Sequence, residues 1–256
     1  MGIPKSRLRN TLKKLRRIPL DRSDPTNVAM APQEMLDFLA MLAGLKAVCL
    51  LGRGFDDATW VASVEALAHD MRLHAIRGPE WYAEPKHIGL PAWYSEVNTS
   101  VRSGEPALYV CRSRAVADEL RQVCAAGSIT MEQEAMLLGY PLCCVKDRYR
   151  RTRLMNEAFS LMLHRTAEGN ETKMKHIVRE STGMSAETEQ ERRLIEEVRP
   201  FAPASFTSIN MCPSCANKPD SPAVKVSRAY EHLARSISPD LANEIKGWTD
   251  MLRTGL

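Results

Sequence analysis

The apolar positions of this chain switch between helical and strand periods, and the switches divide it into elements. From residue 6 to 18, Leu8, Leu12, Leu15 and Ile18 recur at helical spacing with Arg7, Arg9, Lys13, Lys14, Arg16 and Arg17 between them. That predicts a helix with one apolar and one cationic face. Residues 20–27 are a polar, proline-containing connector. Pro32 opens a second helix carrying Met35, Leu36, Phe38, Leu39 and Leu42, and Gly44 is placed to stop it. Residues 47–51 read as a short buried strand ending in the turn Gly52-Arg53-Gly54. Residues 56–71 read as a helix with Trp60, Val64, Leu67 and Met71 on one face, and residues 73–76 as the next strand. Strand, helix, strand is a β-α-β pattern and predicts a parallel sheet.

Residues 78–106 are richer in proline, glycine and aromatics, among them Trp81, Tyr82, Trp93 and Tyr94. Such a segment lines a site or covers the edge of a core. Residues 107–111 read as a further strand, and residues 116–124 and 130–138 as helices, with Ser128 or Thr130 as a cap. A helix then runs from the Cys143–Cys144 pair towards residue 164, followed by a polar stretch to residue 183 and a charged helix over 186–198. Residues 202–209 read as strand or loop. Two closing helices follow at 224–237 and 239–252, with Tyr230, Leu233 and Ile237, then Leu241, Ile245 and Trp248, facing inward. The fold class is α/β or α+β. Residues 1–27 form a basic helix and connector, residues 28–126 a small β-α-β layer, and residues 127–256 a mostly helical cysteine-bearing part.

Composition adds few constraints. The 256 residues are 44% hydrophobic and 26% charged, ordinary for a soluble globular protein. No apolar run approaches the ~20 residues that cross a bilayer. The basic N-terminus has no apolar stretch of the secretory kind behind it, so the expected location is cytoplasmic, where thiols stay reduced. The basic helix suits an acidic partner, or it simply packs its leucines. Nucleic acid is disfavoured, because no aromatic platform accompanies the cations. Gly52-Arg53-Gly54 lacks the third glycine of a dinucleotide fingerprint and the lysine of a phosphate loop.

Cysteine placement changes the picture. There are seven, an odd number that argues against a disulfide framework. Cys49 and Cys111 lie in strand-like apolar runs and Cys124 on a helix, and all three read as small core residues. The other four fall in Gly139-Tyr140-Pro141-Leu142-Cys143-Cys144 and Met211-Cys212-Pro213-Ser214-Cys215. Gly139 sits where a helix C-cap belongs, and Pro141 fits the first turn of a new helix. Cys143 and Cys144 then lie in an opening turn, where free N–H groups and the macrodipole favour thiolate, so unusually acidic thiols are expected. Cys212 and Cys215 form a two-sulfur clamp. The two segments together predict one metal centre on Cys143, Cys144, Cys212 and Cys215. Adjacent side chains diverge by about a quarter turn in a helix. A wide iron–sulfur cluster, of 4Fe-4S type, therefore fits better than zinc, the alternative. Metal-free thiol redox chemistry and a buried structural pair also stay open. His164, His176 and Asn210 are weaker ligand candidates. Tyr140 is placed to donate a hydrogen bond or to pack. Arg148, with Lys146, Arg150 and Arg151, follows the cysteines on one helix and would hold an anionic substrate or lie solvated.

The string Leu138-Gly139-Tyr140-Pro141-x-Cys143-Cys144-Val145, followed by Cys212-Pro213-x-Cys215, resembles a family marked by a Gly-Tyr-Pro-x-Cys-Cys signature and described as a domain of unknown function. The resemblance covers about the second half of the chain and implies that the two cysteine segments pair. It also implies a histidine just before the second segment, where Asn210 stands instead. The functional expectation is a cytoplasmic metalloenzyme, of lyase or sulfur-chemistry type, with an iron–sulfur centre acting on a small polar molecule. The alternative is a non-enzymatic binding or adaptor protein held by a structural zinc site of four cysteines.

Overall fold

Strand β3 (Pro106–Cys111) is the spine of the sheet, flanked by β1 (Val48–Leu51) and β2 (His74–Pro79) in the order β1-β3-β2. Both neighbours run antiparallel to it, with Cys49 opposite Val110 and Ile76 opposite Tyr109. This corrects the expected parallel sheet. β1 and β2 do point the same way, joined by α3 (Ala58–Asp70), but the later strand is inserted between them, giving a split β-α-β unit. The reason is burial. Residues 107–111 are inaccessible on both faces of the strand, so the most continuous apolar run takes the central slot. Alternation then separates two cores: Leu108 and Val110 face one, Ala107, Tyr109 and Cys111 the other.

The structure is a computed structural model, and it describes residues 3–18, 30–52, 58–79, 82–84, 86–98, 106–198, 206–207 and 210–254. The turn at Gly52-Arg53-Gly54 lies largely outside these, as do Trp81, the side chain of Trp248, and most of 202–209, of which Phe206 and Thr207 are described and buried. Apart from the sheet, the described residues are mostly helical, an α+β architecture.

The larger core gathers segments distant in sequence. Helix α1 (Lys5–Leu15) lays Leu8, Leu12 and Leu15 on α2 (Pro32–Ala43) and α11 (Pro222–Ile237), and α12 (Pro239–Thr254) adds Leu241 and Ile245 to the same core. The cationic face of α1 points outward. From it, Arg9 donates to the terminal carbonyls of α11, to Ile237 O and Ser236 O, each at 3.2 Å, satisfying groups a helix end leaves unpaired. Arg16 pairs with Glu244 at 2.6 Å. Gly44 ends α2 with φ +85°, the left-handed cap its position predicts.

The second core packs α5 (Arg114–Ala126) and α6 (Met131–Leu138) against the other face of β3. Thr130 caps α6 reciprocally: its hydroxyl accepts from Gln133 N at 3.1 Å, and Thr130 N donates to Gln133 Oε1 at 3.0 Å. A 25-residue helix, α7 (Leu142–Thr166), then leaves this layer. It packs on α8 (Glu171–Arg179) and α9 (Glu189–Val198), where Arg165 pairs with the buried Glu191 at 2.9 Å. The aromatics of the irregular segment cover core edges. Tyr94, in α4 (Tyr94–Val97), meets Phe159 edge-on with ring centroids 5.5 Å apart, and Trp93 packs beside Leu163. No helix among the described residues is long and apolar enough to cross a membrane.

Candidate metal centre

Gly139 ends α6 in the left-handed conformation, φ +71°, and the chain turns at once through Tyr140 and Pro141 into α7. Pro141 is the N-cap, one position before the expected first turn, and Leu142, Cys143 and Cys144 are the first three helical residues. A Cβ on Gly139 would stand 2.9 Å from Lys46 Cβ and 3.1 Å from Leu45 O. Strain and clash therefore coincide. Gly139→Ala is expected to cost about 1–3 kcal/mol, read as a lower urea midpoint.

The second segment arrives from the other side. Cys212 is the N-cap of α10 (Pro213–Ala216), and Cys215 N donates to Cys212 O at 2.9 Å, so the Cys-x-x-Cys turn points both sulfurs one way. Ser221, the N-cap of α11, locks this turn: its hydroxyl donates to Cys215 O at 2.8 Å and accepts from Val224 N at 3.3 Å. Arg151 Nη2 lies 3.5 Å from Asn210 O and Arg151 Nε 2.9 Å from Asp147, tying the approach of the second segment to α7.

The two segments meet. The Sγ atoms of Cys143, Cys144, Cys212 and Cys215 all lie within 4.8 Å of one another, with Cys143 and Cys215 3.5 Å apart. Cys144, Cys212 and Cys215 are buried and Cys143 is exposed. A backbone N–H, that of Cys212, points at Cys144 Sγ from 3.5 Å. Tyr140 and Met211 pack against the group, with Ala223 from the first turn of α11 beneath it. The start of α7, the short α10 and the start of α11 thus all present N-terminal ends here, a setting suited to anionic sulfur.

Without a metal, the thiols do not share that benefit. Burial, with hydrogen bonds to Cys215 and Cys212, pushes Cys143 up to about 11. Burial likewise raises Cys144, against the pull of the Cys212 N–H. Cys215 is lowered: burial opposes its charge, but the Ala223 N–H and the thiols of Cys143, Cys212 and Cys144 outweigh it. The acidity expected of Cys143 and Cys144 is therefore not found. Four crowded sulfurs cannot all ionise unless a cation sits among them.

The other candidates are elsewhere. His164, His176 and Asn210 are exposed, and none joins the sulfur group. Tyr140 touches it. Arg148 instead pairs with the buried Glu134 at 2.5 Å and stacks on Tyr149, whose hydroxyl also bonds Glu134. Lys146 pairs with Glu132, and Arg150 with Asp147 and Glu197. Cys49 and Cys111 are fully buried in the two cores, and burial raises both thiols, Cys111 to about 11. Cys124 packs beside the second core.

A buried ion pair behind the centre escaped the sequence reading. Lys46 Nζ lies 3.3 Å from Asp37 Oδ1, an ion pair without an aligned hydrogen bond, and 5.5 Å from the centre of the Tyr140 ring. Burial opposes the Lys46 charge, but Asp37, aided by Tyr140, Tyr230 and Cys49, raises its pKa above the usual lysine value. The available signal was a single aspartate inside the apolar helix Met35–Leu42 and a single lysine ahead of an apolar strand. Comparison with known proteins returns no matching family model, no matching curated protein and no matching solved structure.

Proposed function

We propose that Cys143, Cys144, Cys212 and Cys215 hold one zinc ion, which staples the opening turn of α7 to α10 and α11 in a non-enzymatic binding protein. The observation that carries this is the mutual 4.8 Å limit on the four sulfurs. A tetrahedral ion with bonds of about 2.3 Å sets sulfurs about 3.8 Å apart. A cubane cluster puts each thiolate on its own iron and spreads the sulfurs to roughly 6 Å. Four thiolates around a divalent ion carry two net negative charges, and the surrounding helix starts offset them. In this reading the Gly-Tyr-Pro-x-Cys-Cys string is a local device: cap, packing ring, N-cap, then two ligands in the first turn. Free thiols in a metal site suit a reducing compartment such as the cytoplasm. The outward cations of α1 would meet an acidic partner.

A second reading, the iron–sulfur enzyme, draws on a different observation. Cys143 is exposed and borders a cleft of about 410 Å³ shared with Ser214, Cys215 and Lys218. An open cluster there would be reachable by a small polar substrate. Metal analysis of anaerobically purified protein separates the two. A colourless protein with one zinc per chain is expected. A brown protein with iron and acid-labile sulfide would replace the zinc staple with the cluster.

A further inference from the structure

We infer that the centre is also a peroxide-responsive switch, in which Cys143 and Cys215 close into a disulfide and release the metal. This rests on the zinc reading for its metal but not for its pairing. Exposure and a shared cleft select the pair, and the sulfur separation is compatible with it. Cys143 is the one exposed member of the group. Cys143 and Cys215 line the same open cleft, whereas Cys144 and Cys212 do not border it. Their sulfurs stand 3.5 Å apart. A disulfide needs those sulfurs to close to ~2 Å. Cys144 follows Cys143 directly on α7, where side chains splay around the helix, and is held beneath the Cys212 N–H.

The chemistry balances with hydrogen peroxide as oxidant. Held as a thiolate by the zinc, Cys143 attacks one peroxide oxygen: an S–O bond forms, the O–O bond breaks, and hydroxide leaves and takes up a proton. The Cys215 thiolate then attacks the Cys143 sulfur: the S–S bond forms, the S–O bond breaks, and a second hydroxide leaves and is protonated. Two thiolates lose two electrons, and peroxide becomes two waters. Zinc keeps only Cys144 and Cys212, too few for a stable tetrahedral site. The outcome differs from simple damage. The start of α7 stays joined to α10, now by a covalent bond in place of the ion, so metal loss need not free the helix.

The test uses the zinc-loaded full chain, titrated with hydrogen peroxide under anaerobic conditions. Zinc release is followed with a chromogenic chelator, and disulfides are mapped by mass spectrometry of unreduced peptides. The expected result is loss of one zinc per Cys143–Cys215 disulfide, reversed by dithiothreitol and added zinc. A dominant disulfide between any other pair, a Cys143 sulfinic acid without cross-link, or zinc loss without a disulfide would overturn the inference. Cys143→Ser should lose the cross-link, and a peroxide-induced disulfide among the remaining three would count against the mechanism. Should the purified chain contain no zinc, the zinc reading fails on its own, and the same mapping on the metal-free protein still decides the pairing.

Discussion

Cys144→Ala is expected to abolish stoichiometric metal binding and to loosen the second half of the chain, while the sheet stays folded. Cys144 is fully buried between the start of α7 and the Cys212 turn, so its sulfur is shielded from bulk solvent. In small zinc peptides the binding energy of a structural ion, about 10–16 kcal/mol, is also folding energy. A whole domain is stable by only about 5–15 kcal/mol, so even partial loss of the ion is large on that scale. Hydrogen exchange should show α10 and the start of α7 losing protection while β3 keeps it. Cys111→Ala is the control. That residue is equally inaccessible but packs in the second core, and its loss should cost about 1–2 kcal/mol with metal content unchanged. A Cys144→Ala protein that still carries one metal per chain would remove the site as drawn.

Asp37→Ala should be the most damaging change away from the sulfurs. It strands Lys46, whose side chain is 2% exposed, with no carboxylate among its described contacts. Breaking such a pair costs about 3–5 kcal/mol, because the surviving charge stays buried. Urea unfolding of Asp37→Ala, Lys46→Met and the double variant gives the coupling: the double variant should be more stable than Asp37→Ala alone. A double variant as unstable as the sum of the singles would show that the two groups do not interact. The pH dependence has a definite sign. Lys46 is raised above its unfolded value, so the pair contributes fully below about pH 10 and is lost only as alkali climbs through the folded value. In Asp37→Ala burial acts on Lys46 with its main opposing charge gone and lowers it, so the cost of that variant should shrink as pH rises from 6 towards 10, while the parent protein stays flat.

Local chemistry was legible in the sequence; the pairing of strands and of buried charges was not. The glycine after α2, the Thr130 cap and the glycine before the cysteine helix each declare themselves through a backbone need that few residues meet. The leucine stripe of α1 and the inward Tyr230, Leu233, Leu241 and Ile245 followed from period alone. The convergence of the two cysteine segments was readable because a Cys-x-x-Cys turn and a second cysteine pair in a turn are each half of a metal-ligand pattern. Strand order was hidden, since nothing within residues 48–79 announces that a run thirty positions later enters between them. Thiol acidity was misjudged because the helix-start argument treats each sulfur alone, whereas three others crowd it. Lys46 and Asp37 were overlooked because each is a lone charge in an apolar stretch, and only the tertiary contact makes them partners.

The core that joins Leu8 of α1 to Ile245 of α12 has a consequence for synthesis. In a nascent chain the leucine stripe of α1 can meet α2 soon after both are made, but α11, which also covers it, follows far later in the chain. The seating of α1 is completed only when α11 arrives, and contacts so remote in sequence close slowly. During translation, that greasy strip with its rim of positive charge is open to whatever holdase reaches it first.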